Sequence, residues 1–213
     1  WLGDGARFGM NVRYYIEETP LGTAGSVRQA RDFLDETFVV LSGDGVTDCD
    51  LTAAYQWHKR QGALATIVIK HVENPLEYGV VIADSDGRVK RFVEKPGWGE
   101  VFSDTVNTGI YILEPQVLDM IPEKTPYDFS RDLFPKLLKR GDGLCAWTMS
   151  GYWCDIGDVA AYLKAHIDAM DGRINLSVNC RPGGVLRMPG ARVDRGAVLE
   201  GPCFIGEDAV IEA

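Results

Sequence analysis

The sequence lacks any long apolar run: none of its 213 residues belongs to a stretch approaching the ~20 apolar residues that a membrane-spanning helix requires. It shows no signal peptide and no CxxC motif, and its cysteines are few and odd in number. These absences argue against a membrane protein, a disulfide scaffold and a zinc site. They predict a cytoplasmic protein with reduced thiols at Cys49, Cys145, Cys154, Cys180 and Cys203.

Positive charge is also scarce. The chain carries 22 Lys and Arg against 31 Asp and Glu, which gives a formal net charge of −9. This acidic balance argues against nucleic acid as a partner, although a local basic cleft for a small phosphate is compatible with it. A hydrophobic content of 46% and a charged content of 25% are ordinary for a globular protein.

Strand-like apolar runs alternate with helical periodicity up to about residue 170. Strands are predicted at Val12–Glu17, Phe38–Leu41, Leu64–His71, Gly79–Ala83, Val89–Val93, Thr108–Leu113 and Leu144–Met149. Helices are predicted at Thr23–Leu34, Leu51–Gln61, Ser130–Arg140 and Asp158–Met170, with Asp50 and Ser130 as N-caps and Gly62 and Gly141 as stops. The turn ADSDGR indicates a hairpin. The pattern predicts an α/β fold with a mixed, mostly parallel sheet flanked by helices.

A different period governs the end of the chain. Written in sixes, it reads ARVDRG, AVLEGP, CFIGED and AVIEA. Small residues recur at Ala191, Ala197, Cys203 and Ala209, and branched apolar residues at Val193, Leu199, Ile205 and Ile211. The pattern predicts the start of a left-handed hexapeptide β-helix at 191–213, after a domain at 1–172 and a connector at 173–190. The alternative is a chance alternation in one edge strand.

Two aspartates follow apolar runs and precede a glycine. Asp44 comes after Phe38–Leu41, and Asp155 lies in GYWCDIG. Each is compatible with a helix cap or turn. Ligands of open α/β sheets bind outside the carboxyl ends of strands, however, and Mg²⁺ is held by one or two carboxylates plus substrate phosphates. Lys95 in VEKP could supply a point charge for a phosphate, or form a solvated pair with Glu94.

The segment EETPLGTAGSV runs from a predicted strand through a glycine-containing loop into a helix. Such a loop can bring backbone N–H groups and a helix N-terminus close to a ligand. It is neither a Walker A loop nor a GxGxxG motif, so an ordinary strand-to-helix connection explains it equally well.

Taken in order, LGTAGS, VLSGD, YGVV, VEKP, VNTGIYIL and YWCDIG resemble the motifs of the sugar-1-phosphate nucleotidyltransferases. The likeness covers roughly residues 1 to 170, and many family members carry a hexapeptide β-helix next. The mannose-1-phosphate guanylyltransferase subgroup is the most similar. The resemblance implies a Rossmann-like nucleotidyltransferase sheet and Mg²⁺ as the cofactor. It also implies a reaction in which a sugar 1-phosphate attacks the α-phosphorus of a nucleoside triphosphate, giving an NDP-sugar and pyrophosphate.

The resemblance also assigns roles to individual residues. Asp44 and Asp155 correspond to the Mg²⁺ ligands, Lys95 to the residue that contacts the sugar phosphate, and Glu94 to the acceptor for sugar hydroxyls. Glu17 corresponds to the residue that reads the base, and its carboxylate would match the two adjacent donors of guanine. The other expected substrate contacts are Leu21 and Gly22 at the base, and Tyr78, Gly79, Asn107, Thr108 and Trp153 around the sugar.

The sequence departs from the family at one point, because the glycine-rich GxGxR phosphate loop is absent. The expectation is therefore that the intact protein is an enzyme and that this segment alone is inactive. The alternatives are a glucose-1-phosphate uridylyl-, thymidylyl- or adenylyltransferase, a non-catalytic regulatory homologue that binds nucleotide-sugars, and an acyltransferase that uses the β-helix. A homo-oligomer formed through the β-helix is also expected.

Overall fold

The structure, a computed structural model, describes residues 2–97, 99, 103–141, 143–176 and 183–213. Residues 177–182, which include Cys180 and part of the expected connector, lie outside the described residues. The chain divides into two units. The first comprises Trp1–Val40 and Ala54–Thr148, and the second comprises Leu41–Ala53 and Met149–Ala213.

The elements are numbered along the chain. The strands are β1 Phe38–Leu41, β2 Gly45–Thr47, β3 Ala65–His71, β4 Gly79–Ala83, β5 Val89–Glu94, β6 Thr105–Leu113, β7 Leu144–Thr148, β8 Trp153–Asp155, β9 Val185–Arg187, β10 Arg192–Val193, β11 Cys203–Ile205 and β12 Val210–Ile211. The α-helices are α1 Gly22–Gln29, α2 Leu51–Gln61, α3 Phe134–Arg140 and α4 Val159–Met170. Shorter helical turns cover Ala6–Phe8, Pro115–Met120 and Phe129–Leu133.

The main sheet is mixed, as predicted. Its strand order is β5-β4-β6-β3-β7, and β1 also pairs with β6. β3 and β7 run parallel, whereas the β3–β6, β4–β5 and β4–β6 pairs are antiparallel. The expectation of a mostly parallel sheet is therefore wrong for these described pairs. The reason is that β6 runs against both of its neighbours β3 and β4, and that the turn at 84–88 folds β4 and β5 into the predicted hairpin.

The buried apolar side chains of the first unit form its core, which lies between the main sheet and the helices. The apolar residues of β3 and β6 are almost wholly buried. Three aromatic rings pack together beside them: the ring centroid of Tyr111 lies 4.9 Å from that of Phe129, and the Phe134 ring meets Tyr111 edge to face with its centroid at 5.0 Å. Helix α2 forms over the residues that its periodicity predicts. Asp50 caps its first turn by accepting the Ala53 N–H over 2.9 Å. Gly62 follows the end of the helix with a φ of 60°.

Four local predictions are wrong. Val12–Glu17 is not a strand, and Tyr14 and Ile16 are 64% and 87% exposed, because this segment pairs with no strand among the described residues. Helix α1 ends at Gln29 rather than Leu34. The cap before Ser130 is Asp128, since its carboxylate accepts the backbone N–H groups of Ser130 and Arg131. Strand β1 is also only half buried, although its apolar run suggested an interior strand.

The second unit contains an antiparallel ribbon, a helix and a tail of short strands. β2 pairs with β8, and Asp158 caps α4 by accepting the Ala161 N–H over 2.7 Å. In the tail, β9 pairs with β11 and β10 with β12, both in parallel. Each pair joins residues 18 positions apart, which is three hexads. No helix of the described residues is long and apolar enough to cross a bilayer.

Candidate functional site

Asp44 and Asp155 occupy adjoining backbone positions on the β2–β8 ribbon. Gly45 lies opposite Asp155 in the antiparallel register. The ladder extends one step beyond β2, because the Ile156 N–H donates to the Asp44 carbonyl over 2.9 Å. The two aspartates are 111 positions apart in the sequence, and their backbones adjoin on the ribbon. Their role as metal ligands stays a prediction.

A tight turn sets the position of Asp44. The Gly45 N–H donates to the Ser42 carbonyl over 3.3 Å, and the Ser42 hydroxyl donates to the Asp44 carboxylate. Asp44 is exposed and Asp155 is half buried. Asp44 thus stands at the mouth of the ribbon, where its carboxylate is accessible to a ligand. Trp153 lies two residues before Asp155 on the same strand and opposite Thr47.

Asp48 holds the two strands of the ribbon in register. Its carboxylate accepts the Tyr152 N–H over 2.6 Å and the Asn175 N–H over 2.9 Å. The Asp48 N–H donates in return to the Tyr152 carbonyl over 3.2 Å. A slip of one residue would exchange the faces of every side chain in the ribbon, so these bonds help to keep Asp44 beside Asp155. Asp48 is not among the residues that the sequence predicts for the site, although the motif SGDGVTD contains it.

Asp168 anchors the same ribbon from helix α4. It is 1% exposed and accepts hydrogen bonds from the Tyr152 hydroxyl over 2.8 Å, from Arg173 over 3.0 Å and from Lys164. Burial opposes its ionisation, but the hydrogen bonds and the two cations outweigh burial and hold the pKa of Asp168 below its usual value. Burial and the Asp168 hydrogen bond raise the pKa of Tyr152. Asp168 is a second residue that the sequence analysis missed.

The aspartate pair fits a Mg²⁺ site of the kind completed by substrate. Both side chains are hard oxygen donors, and Mg²⁺ is commonly held by one or two carboxylates together with substrate phosphates. In the described part of the chain, no group of three or more His, Cys, Asp or Glu side chains forms a metal-binding cluster. A metal at Asp44 and Asp155 would therefore take its other ligands from substrate and water.

In the first unit, Gly79 and Glu94 face each other across the β4–β5 hairpin. A Cβ built on Gly79 would lie 2.7 Å from Glu94 Oε2 and 2.9 Å from the ring of Phe92. The glycine therefore makes room for the carboxylate. Burial raises the pKa of Glu94, and the negative charge of Asp128 raises it further. A half-buried carboxylate of this kind is suited to accept hydrogen bonds from neutral hydroxyls.

Lys95 follows β5 in a strained backbone conformation. Its φ is 45°, in the left-handed region that residues other than glycine rarely adopt. Its N–H donates to the carbonyl of Tyr78 over 3.2 Å, which ties it to the residue before β4. The side chain is exposed. A strained residue beside a raised-pKa carboxylate is typical of a functional constraint.

Asn107 and Thr108 differ in what their side chains contact. The Asn107 amide donates to the Tyr111 hydroxyl over 3.0 Å and to the Ser130 hydroxyl over 3.3 Å. Thr108 is 3% exposed, and its hydroxyl donates to the Val68 carbonyl over 2.7 Å, where the β3–β6 register shifts. Asn107 thus belongs to the polar network near Glu94. The Thr108 hydroxyl already donates a hydrogen bond within the sheet, and its contact with sugar stays a prediction.

The glycine loop at 21–25 is closed by contacts within the chain. Glu17 Oε2 accepts the N–H of buried Leu21 over 2.9 Å, and hydrogen bonds from Ser26 and then Leu21 lower the pKa of Glu17. Gly22 has a φ of 70°, and a Cβ there would lie 2.7 Å from the Tyr127 carbonyl oxygen. That carbonyl also accepts the N–H groups of Ala24 and Gly25 in the first turn of α1, so these two groups are not open to an anion. The carboxylate of Glu17 still has acceptor positions for a base.

Two groups of predicted residues therefore emerge, one in each unit. The second unit brings together Asp44, Trp153 and Asp155 on the ribbon. The first unit brings Tyr78, Gly79, Glu94, Lys95 and Asn107 to one end of β4, β5 and β6, and Glu17, Leu21 and Gly22 to the start of α1. Asp128 and Ser130, which the sequence analysis did not assign to the site, connect these last two sets.

Comparison with known proteins identifies relatives of this chain. Residues 1–172 match the family model described as nucleotidyl transferase. A UTP–glucose-1-phosphate uridylyltransferase of Synechocystis sp. is 39% identical, and the match covers 100% of this chain and 59% of the relative. Mannose-1-phosphate guanylyltransferase 1 of Arabidopsis thaliana is 36% identical, covering 92% of this chain and 54% of the relative. The chain thus spans little more than half the length of these curated relatives.

A solved structure has a similar fold. The crystal structure of a putative glucose-1-phosphate thymidylyltransferase from Bacillus anthracis, in complex with a sucrose, superposes with a TM-score of 0.70 at 27% identity. The superposition covers 83% of this chain and 72% of that chain. The mixed α/β sheet with flanking helices is therefore a fold that this chain shares with that structure.

Proposed function

The chain belongs to the nucleotidyl transferase family, and from this membership we propose that the intact protein transfers a nucleotidyl group from a nucleoside triphosphate to a sugar 1-phosphate. A phosphate oxygen of the sugar 1-phosphate attacks the α-phosphorus, and the bond from that phosphorus to the pyrophosphate leaving group breaks. The products are an NDP-sugar and pyrophosphate. The observation that carries the proposal is the family match over 1–172, which contains both predicted site groups.

Asp44 and Asp155 would hold Mg²⁺ in this reaction. The family motifs and the hard oxygen donors of both side chains support the assignment. Bound there, Mg²⁺ would neutralise phosphate charge, which is the main need of a phosphoryl-type transfer. The protein's own contribution is to hold the carboxylates in place, through the β2–β8 ladder and the bonds of Asp48.

The residues at the ends of β4, β5 and β6 would bind the sugar 1-phosphate. The exposed ammonium of Lys95 would pair with the phosphate, and the half-buried Glu94 carboxylate would accept hydrogen bonds from sugar hydroxyls. Gly79 leaves the space that Glu94 occupies. Asn107 would contribute its amide from the same network, and Tyr78 and Thr108 would complete the sugar pocket of the first unit. The contact of Trp153 with sugar stays a prediction. These assignments follow the family motifs, and the contacts within the first unit support the first four.

We propose GTP as the nucleotide substrate, because the Glu17 carboxylate matches the hydrogen-bond donors of guanine. An ionised carboxylate only accepts hydrogen bonds, and guanine presents two adjacent donors, N1–H and the N2 amino group. Uracil and thymine present one donor between two carbonyl oxygens, which a carboxylate repels. The lowered pKa keeps Glu17 ionised at neutral pH. With mannose 1-phosphate as the sugar substrate, the proposed product is GDP-mannose.

A glucose-1-phosphate uridylyltransferase is the second candidate. The relative with that name is 39% identical over the whole of this chain, compared with 36% for the guanylyltransferase of Arabidopsis thaliana. The two candidates share the reaction and the metal site, and they differ in base and sugar.

The tail supports a further structural proposal. Two parallel strand pairs with an offset of 18 residues match one coil of three hexads, so we interpret 191–213 as the start of a hexapeptide β-helix. Assembly of copies through this region, the domain boundaries at 172 and 190, and a cytoplasmic location remain predictions.

A substrate panel tests the function and its specificity. The intact protein is incubated with Mg²⁺ and each pairing of GTP, UTP, dTTP or ATP with mannose 1-phosphate or glucose 1-phosphate, and kcat/KM is measured by pyrophosphate release. We expect GTP and mannose 1-phosphate to give the highest value. UTP with glucose 1-phosphate as the best pair would establish the second candidate, and binding without turnover would indicate a non-catalytic homologue.

The variant Glu17→Gln should relax the preference for GTP, because an amide both donates and accepts. The amide can accept from the single donor of uracil and donate to one of its carbonyl oxygens, so the ratio of GTP to UTP activity should fall by about tenfold. Glu18→Gln removes the neighbouring exposed charge and serves as the matched control. An unchanged ratio in Glu17→Gln would show that Glu17 does not read the base.

A further inference from the structure

The segment 125–130 lies directly against the glycine loop at 21–25. The carbonyl of Tyr127 accepts the N–H groups of Ala24 and Gly25, each over 3.0 Å, and the Tyr127 N–H donates to the Leu21 carbonyl over 2.8 Å. These bonds satisfy N–H groups of the first turn of α1, which would otherwise lack partners. The loop that faces the base in the proposed function is thus held by residues about a hundred positions later in the chain.

Asp128 extends this contact through its side chain. Its Oδ2 accepts the Thr23 hydroxyl over 2.7 Å, and its Oδ1 accepts the N–H groups of Ser130 and Arg131 over 2.8 and 3.0 Å. The Thr23 hydroxyl accepts the Phe129 N–H over 3.1 Å in return. One carboxylate therefore fixes both the first turn of α1 and the helical turn Phe129–Leu133.

The turn Phe129–Leu133 reaches the sugar side of the first unit through Ser130. The Ser130 hydroxyl accepts the Asn107 amide over 3.3 Å, and it lies close enough to the Glu94 carboxylate to oppose the rise in the pKa of Glu94. Asn107 is held in turn by the Tyr111 hydroxyl over 3.0 Å, and its own Oδ1 accepts the Gly109 N–H over 3.0 Å. The chain of contacts from Thr23 through Asp128 and Ser130 to Glu94 is therefore continuous.

We propose that Asp128 is a positioning residue that couples the two substrate subsites, so that a nucleotide bound at the glycine loop tightens the binding of sugar 1-phosphate at Glu94. The inference rests on the proposed function, because that function places the base at 21–25 and the sugar at Glu94. The physical reason is that the loop and Glu94 share one network of hydrogen bonds. A ligand that orders one end reduces the ordering cost that the other ligand must meet.

The test measures binding without turnover. The intact protein is titrated with mannose 1-phosphate in the presence of a chelator, with and without saturating GTP, and the dissociation constant is determined by calorimetry. In the wild type we expect GTP to tighten mannose 1-phosphate binding at least fivefold, the lower end of ordinary coupling between sites. Thr23→Val keeps the shape of the side chain and removes its hydroxyl, and it should reduce the effect to less than twofold. Thr23→Ser keeps the hydroxyl and should retain it.

A second variant acts at the other end of the network. Ser130→Ala removes the hydroxyl that contacts Asn107 and Glu94, and it should abolish the coupling as Thr23→Val does. This variant also serves if Thr23→Val fails to fold. If either variant weakens each ligand alone but keeps the fivefold ratio, the network is merely structural and the proposal is wrong.

The outcomes also separate this proposal from the proposed function. Wild-type protein that binds GTP and mannose 1-phosphate independently would overturn the coupling and leave the function standing. Wild-type protein that binds neither these ligands nor UTP and glucose 1-phosphate would overturn both.

Discussion

The Glu94 carboxylate occupies the space that a side chain on Gly79 would fill, with a Cβ at residue 79 lying 2.7 Å from Glu94 Oε2. Gly79→Ala should therefore displace the end of the Glu94 side chain and shift the ring of Phe92, which would lie 2.9 Å from the new Cβ. We expect the KM for sugar 1-phosphate to rise about tenfold, the equivalent of one hydrogen bond to a charged group, with little change in the KM for nucleotide. Gly206→Ala, where a Cβ meets only an ordinary contact at 3.9 Å, is the control. Equal changes in both KM values would contradict the sugar-side assignment.

The left-handed backbone conformation of Lys95 lowers the stability of the fold. A left-handed conformation costs an L-residue roughly 1–2 kcal/mol, and glycine avoids this cost at a smaller entropic one. Lys95→Gly should therefore raise the free energy of unfolding by up to about 1 kcal/mol, measured by urea denaturation, while weakening sugar 1-phosphate binding.

Lys124 provides the matched control for this prediction, because it is exposed and has a φ of 51°. Lys124→Gly should give a similar gain in stability with unchanged activity. A loss of sugar 1-phosphate affinity as large in Lys124→Gly as in Lys95→Gly would show that the charge of Lys95 has no specific role.

Substitution of Asp48 should lower both the stability of the protein and its apparent affinity for Mg²⁺. Asp48→Ala removes the acceptor of the half-buried Tyr152 N–H and of the exposed Asn175 N–H, and a hydrogen bond to a charged group contributes about 1.5–3 kcal/mol. We expect the free energy of unfolding to fall by about 2 kcal/mol and the Mg²⁺ concentration for half-maximal activity to rise. Asp48→Asn retains one acceptor oxygen and should recover part of both losses. A stable Asp48→Ala with unchanged Mg²⁺ dependence would show that the ribbon holds its register without this residue.

The pKa of Glu94 predicts a pH dependence of stability. Burial and then the charge of Asp128 raise the pKa of Glu94 above its ordinary value of 4.5. A carboxyl with a raised pKa in the folded state stabilises that state fully below the unfolded value, and this contribution is lost as pH rises through the folded value. Glu94→Gln is neutral at every pH, so its stability relative to wild type should increase as pH rises above 4.5.

Urea unfolding of wild type and Glu94→Gln at several pH values measures this difference, with exposed Glu73→Gln as the control for loss of one charge. A difference that stays constant with pH, or that decreases as pH rises, would mean that the surroundings of Glu94 do not favour its neutral form.

The sequence correctly predicted those helices and strands whose caps, apolar pattern and turns all lie within a few residues of one another. Helix α2 has its cap at Asp50, its apolar face and its terminating Gly62 within a dozen residues, and its bounds agree with the structure. The hairpin of β4 and β5 likewise needs only its own turn. Val12–Glu17 has strand-like alternation, but a strand exists only when another strand pairs with it, and alternation carries no information about the partner.

The parts of the site that the sequence did not reveal depend on distant contacts. The Tyr127 carbonyl accepts two N–H groups of the first turn of α1, and the Thr23 hydroxyl donates to Asp128 across 105 positions. Asp48 reaches Tyr152 across 104 positions. No spacing rule connects such residues, whereas Asp44 and Asp155 were recognised because each also belongs to a family motif.

The most direct measurement of the central claim is product analysis. The intact protein is mixed with GTP, mannose 1-phosphate and Mg²⁺, and the nucleotide products and pyrophosphate are quantified by mass spectrometry and a coupled assay, for wild type and for Asp155→Asn. The account predicts GDP-mannose and pyrophosphate in equal amounts from wild type, with the rate reduced at least a hundredfold in Asp155→Asn. Release of free GDP or GMP without any nucleotide-sugar, or equal rates in the two proteins, would contradict it.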